Sequence, residues 1–170
     1  MFSKTINNLT LRYKQHPFFS NGFTFLEVLI VMAIIGILST FFIGNFVKPQ
    51  KAARDTKRKS DIKQYQTALE RQANVYSGFY ESRTATVQAS TTLCTDLGLT
   101  SCPEDTKYPS DNTWYYKYIS NGTGSGNATA TIYVLWAKLE EPSTVTYFEV
   151  CSNGKSGSVT AEPTDSACDI

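Results

Sequence analysis

Glu27 is the residue with the most demanding chemistry. It stands near the start of an apolar stretch, and no residue from Val28 to Val47 is charged. A carboxylate deep in lipid costs about 2.5–3.5 kcal/mol even on lenient insertion scales, so this side chain needs a use that offsets the cost. Two uses do so. The carboxylate can lie at headgroup level and cap a helix N-terminus, where the dipole favours it, or it can pair with a cation inside an apolar bundle.

Cys94, Cys102, Cys151 and Cys168 form a second reactive set. They contain no Cys-x-x-Cys pair, the spacing that zinc ribbons use, so they read as bridges rather than metal ligands. Bridged cysteines belong to an oxidising compartment, and four of them allow three connectivities. Asp165 and Asp169, beside Ser152 and Asn153, are oxygen-bearing residues of the kind calcium takes, although no cofactor is expected. Glu140 and Glu141 adjoin Pro142 and read as solvated turn acids. Trp114, Tyr115 and Tyr116 are candidates for a binding surface, half of which strand alternation must turn into the core. The glycines between 122 and 126 are followed by no Gly-Lys-Ser/Thr, so they make no phosphate loop.

The elements that hold these residues follow from the pattern. The chain has 170 residues and a net charge of +1. Residues 1–22 are polar and basic, with Lys4, Arg12, Lys14, the single histidine His16 and no acid, so the rest of the chain is slightly acidic. Nucleic acid is not implied as an obligate partner. Residues 23–47 are long enough, at about 1.5 Å per residue, to cross the hydrocarbon core of a bilayer as a helix. Residues 48–78 read as an amphipathic helix with Ile62, Tyr65, Leu69, Ala73 and Tyr76 on one face. The opposite face, with Asp55, Lys57, Lys59, Asp61, Lys63, Glu70 and Arg71, reads as solvated and ion-paired. Ser77-Gly78 is a helix stop. The two halves make one helix of about fifty residues. Residues 79–170 form a head, with a short helix near 92–97 and strands over 113–120, 128–138 and 144–152. The loop 121–127 and the turns at 140–143 and 153–154 join them, and the tail beyond is loop. Short connections between strands argue an antiparallel meander. The expected class is α+β, a long N-terminal helix on a three- to four-stranded antiparallel sheet.

Ser20-Asn21-Gly22-Phe23-Thr24-Phe25-Leu26-Glu27, followed by the apolar run, resembles the class III signal sequence of type IV pilins and type II secretion pseudopilins. The likeness continues more loosely through residues 52–64. It implies cleavage after Gly22 by a prepilin peptidase that also methylates the new amine on Phe23. It implies that Glu27 pairs with the Phe23 ammonium of a neighbouring subunit and sets the register of assembly. It also implies the pilin fold. Many members carry a proline where this chain has Gly44, so melting of the helix there is left open. The second cysteine loop resembles the C-terminal disulfide-bounded region of many pilins, and local pairing is chosen: Cys94 with Cys102, Cys151 with Cys168. Each bridge is worth roughly 3 kcal/mol on the chain-entropy model.

The resemblance therefore implies a structural subunit rather than an enzyme, since loss of the leader removes the only histidine. Its partners would be the peptidase and methyltransferase, identical or related subunits, the inner-membrane assembly machinery and, before assembly, the bilayer. It would sit in the bacterial cytoplasmic membrane with its head outside the cytoplasm, then in a surface pilus. A major pseudopilin of a secretion system in a periplasmic pseudopilus, and a membrane-anchored adhesin or binding module, are the alternatives. Counting cations alone gives the opposite orientation, because Lys48, Lys51, Arg54, Lys57, Arg58 and Lys59 follow the apolar run. The leader and the cysteines outweigh that count.

Overall fold

A computed structural model describes residues 22–42 and 46–170. The leader and the junction at 43–45 lie outside the described residues. So do the expectations of a single fifty-residue helix and of melting at Gly44. The chain divides into two compact units, 1–43 and 44–170.

In the first unit, helix α1 runs Phe25–Phe42. Eighteen residues span about 27 Å, and among the described residues no helix is long and apolar enough to cross a membrane.

The second unit opens with helix α2, Val47–Val75. Ile62, Tyr65, Leu69 and Ala73 are buried at steps of three and four, as the periodicity requires. Tyr76 leaves that stripe. It follows the last turn, is half-exposed, and gives its N–H to the Gln72 carbonyl. The helix stops at Ser77 and Gly78, both at positive φ, with the Gly78 N–H reaching back to Ala73 O at 2.7 Å.

Seven strands follow: β1 Tyr80–Glu81, β2 Val87–Gln88, β3 Lys117–Ser120, β4 Ala128–Ala130, β5 Tyr133–Leu139, β6 Thr146–Cys151 and β7 Ser156–Val159. All pairings are antiparallel. One sheet has the order β2-β3-β5-β6-β7, and β1 pairs with β4 in a second, two-stranded sheet. The sheet is thus wider than three or four strands, and the expected strand 128–138 is divided between two sheets. Strand β7 lies where a loop is expected. Its sequence Ser-Gly-Ser-Val has little strand character, and its form comes from pairing with β6. Between β2 and β3, a π-helical turn, Ala89–Leu93, continues into the α-turn Cys94–Asp96.

The central strand β5 is buried on both faces. Tyr133, Leu135 and Ala137 join Tyr118 and Val150 in the core against α2. Val134 and Trp136 join Ile119 and Cys151 in a second cluster on the other face, where Cys168 and Ile170 of the tail pack. The inner core is rich in tyrosine, and its hydroxyls have partners. Tyr65 donates to Pro103 O (2.8 Å), Tyr118 to Glu81 O (2.6 Å), Tyr116 to Asp61 Oδ2 (2.7 Å), and Tyr133 and Tyr80 to the Glu70 carboxylate. Each hydroxyl so placed avoids the cost of an unpaired buried polar group.

Candidate functional site

In the first unit, Thr24 starts α1. Its carbonyl and hydroxyl both accept from the Glu27 N–H, at 3.1 and 3.3 Å. Thr24 and Glu27 thus take the first and fourth positions of a capping pattern, and the carboxylate lies in the first turn, where the dipole favours it. Phe23, Glu27, Val31 and Ile35 follow one another at steps of four and share a shallow groove with Val28 and Met32. Phe23 and Glu27 therefore sit on one face of the chain. The large apolar side chains of α1 from Phe25 to Leu38 are open, from Val28 at 46% exposed to Phe25 at 84%. Its two hydroxyl side chains turn inward, Ser39 to Ile35 O and Thr40 to Ile37 O, each at 2.7 Å. Apart from the exposed Glu27, α1 thus satisfies its polar side chains internally and leaves large apolar ones uncovered. A side chain added at Gly22 would meet no atom within 4 Å.

In the second unit, the face of α2 expected to be solvated divides: Lys57, Lys59, Lys63 and Arg71 are exposed, whereas Asp55 and Asp61 are buried and Glu70 accepts from the Tyr80 and Tyr133 hydroxyls. Arg58 is 1% exposed. It donates to Asp105 through Nε and Nη2, to Asp55 Oδ1 (2.7 Å) and to Glu140 Oε1 (2.6 Å), and its guanidinium lies 4.4 Å from the Trp114 ring centre. Arg54 holds Glu140 through two bonds of 2.8 Å, and Lys107 Nζ approaches it at 2.9 Å. Asp55 accepts the backbone N–H groups of Glu140 and Glu141. Glu140 is therefore no solvated turn acid, because the turn folds back onto α2. The hydrogen bond from Arg54 leads those that hold its carboxyl well below the usual range. Burial opposes the Arg58 charge, and the bonds to Asp105, Glu140 and Asp55 more than offset it, raising its pKa. Asp61 is buried too. Its carboxyl is pushed up by burial, against the hydrogen bond from Tyr116.

The strand expected over 113–120 begins only at Lys117, so Trp114, Tyr115 and Tyr116 precede it and strand alternation does not sort them. Tyr116 is buried and the other two are half-buried. The cations of Lys107 (4.3 Å) and Lys138 (5.0 Å) also sit at the Trp114 ring.

Cys94 is bonded to Cys102, and Cys151 to Cys168. The second bridge fixes the tail over β6. Beside it Glu149 is fully buried. Oε1 accepts the Asp169 N–H at 2.9 Å, and Oε2 has no partner among the described residues. Burial pushes its carboxyl up. Glu149, Cys151 and Cys168 lie close enough to hold a metal, but both sulfurs are committed to each other. Asp165 and Asp169 are not in that group. Asp165 accepts the Ala167 N–H instead.

Sequence periodicity had no means of finding the Arg58 network. Its one local signal is the pair Asp55 and Arg58, three apart, and such pairs are common on solvated helices.

Residues 19–43 match the family model of the prokaryotic N-terminal methylation motif. The chain is 43% identical over 49 residues to the type IV major pilin protein PilA of Myxococcus xanthus (strain DK1622), a match covering 29% of this chain and 22% of that protein. The chain thus spans about a fifth of the length of the curated relative it matches. No solved structure matches the chain.

Proposed function

We propose, from the type IV pilin and pseudopilin family that the methylation motif and the likeness to a major pilin support, that this protein is a filament subunit. The observation that carries the reading is α1, apolar and uncovered along its described length, with Phe23 and Glu27 together at its start. Residues 1–22 are the leader, removed after Gly22. Residues 23–47 hold the subunit in the cytoplasmic membrane and later form the filament core, residues 48–78 carry the head, and residues 79–170 complete it outside the cytoplasm. Once Phe23 is the N-terminus, its methylated ammonium is the cation that the Glu27 of a neighbour needs in an apolar bundle. The pairing fixes subunit register, as buried polar groups do in coiled coils. The surface pilus is preferred to the pseudopilus because the similar protein is a major pilin.

The orientation is supported by the fate of the basic residues after the apolar run. Arg54 and Arg58 are neutralised by Glu140, Asp55 and Asp105, so they weigh little in a count of free cations.

Mass spectrometry of the native protein tests the reading. A mature chain that begins at Phe23 and is one methyl group heavier than its sequence is expected. An intact leader on filament-borne protein would overturn it.

A further inference from the structure

The first five residues of α2 carry Lys48 and Lys51 and no acid. The positive end of the helix dipole disfavours cations there, so helix stability does not account for them. Neither lysine's side chain has a hydrogen bond or ion pair among the described residues. Lys48 and Lys51 border an open groove of about 680 Å³ against the turn at 140–143, and Lys51 also lines an adjoining one with Lys107, Lys138 and Trp114. The acids nearby are Glu140, already held by Arg54, Arg58 and Lys107, and the exposed Glu141. Two apolar side chains stand open at the same end, Val47 at 62% and Val145 at 56%. Cations around a tryptophan with a few exposed apolar side chains are what a membrane–water interface selects.

We infer that this lysine-lined end of the head is a bilayer-surface site that takes the phosphate groups of anionic lipids while the subunit is anchored. The inference rests on the anchored-subunit reading above and adds a partner to it. Chain length permits the contact. Four residues lie between the last residue of α1 and the first of α2, and those five steps of chain reach at most about 18 Å. That reach lets the groove meet the polar boundary of a bilayer that holds the apolar stretch. Lys48 and Lys51 outnumber the one exposed carboxylate of their groove, Glu141. Lys138, resting on Trp114, adds a third cation, and Val145 enters the headgroup layer beside them. The contact orients the head before assembly and is given up when the subunit leaves the bilayer.

The test uses the full chain in nanodiscs of phosphatidylcholine, with or without phosphatidylglycerol, read by amide exchange. With phosphatidylglycerol, exchange over 47–51 and 143–145 slows by about fivefold for each lysine engaged, the equivalent of about 1 kcal/mol apiece. High salt removes the difference. The variant K48Q/K51Q/K138Q loses it, while exchange in β5 and β6 stays as in the parent, reporting an intact head. Equal exchange in both lipids, or protection that survives the triple substitution, overturns the inference and leaves the anchored subunit standing. Protection that follows protein concentration instead of lipid charge assigns the surface to a second copy and also overturns it. Failure of the chain to enter either nanodisc would strike the anchored-subunit reading itself.

Discussion

The Arg58 guanidinium meets the Glu140 carboxylate at 2.6 Å inside the head, across 82 residues of chain. Arg58 stands on α2 and Glu140 on the turn between β5 and β6. The contact joins helix to sheet at the end of the head that follows α1 in sequence. Asp105 brings the segment after the first disulfide to the same guanidinium. Two carboxylates from distant loops thus converge on one buried cation, with a third from Asp55, one helical turn away.

Arg58→Met should destabilise the head by about 3–5 kcal/mol, because it leaves several carboxylates buried without their cation. Arg58→Lys should recover only part of the loss, since an ammonium cannot make the forked contacts of a guanidinium. Urea unfolding of the full chain in detergent measures both. A loss below 1 kcal/mol for Arg58→Met would mean that the network contributes nothing beyond a surface pair.

The same network predicts sensitivity to acid. The folded pKa of Glu140 is depressed, against about 4.3 for an unfolded glutamate. Its contribution is fully present above the unfolded value and is lost as pH falls through the folded one. The urea midpoint should be flat near neutrality and drop below about pH 4. Glu140→Gln should be less stable at pH 7 and show a shallower drop. Parallel curves for the two proteins would assign the acid response to other groups.

Glu149 carries the opposite sign. Burial raises its folded pKa, so stability is greatest below the unfolded value and declines as pH rises through the folded one. Glu149→Gln keeps an oxygen for the Asp169 N–H and removes the charge. It should raise the thermal midpoint at pH 8 by several degrees and change little at pH 4. A lower midpoint at pH 8 would show that the buried carboxylate is better satisfied than its single hydrogen bond indicates.

Glu27→Ala should give a subunit that is cleaved after Gly22, folds its head normally and forms no filaments. Glu27→Gln should match it, and Glu27→Asp should assemble poorly, because the shorter side chain keeps the charge and loses reach. The assembly defect reflects a few kcal/mol per interface, the cost of leaving a neighbour's ammonium unpaired. Counting filaments alongside the processed membrane pool separates this from helix capping. Normal filament numbers from Glu27→Ala would leave the carboxylate with its place in the first turn of α1 and no role in register.

What the residues determined by themselves is local. The apolar run, the Thr24-to-Glu27 start of α1, the buried stripe from Ile62 to Ala73 and the stop at Ser77-Gly78 all follow from neighbours within a few positions. Hydrophobic period and capping act over that range. The tertiary structure decided what depends on distant partners. Strand β7 exists because β6 offers an edge to pair with, although its own residues favour a loop. Tyr76 leaves the stripe because the helix ends one residue before it. Asp55, Arg58 and Glu140 read as surface charges in sequence, where nothing records that the turn at 140–143 folds back onto α2. A charge can be buried only where opposite charge and hydrogen-bond donors meet it in three dimensions, and the approach of residues 47 and 82 positions from Arg58 is set by the packing of the whole head.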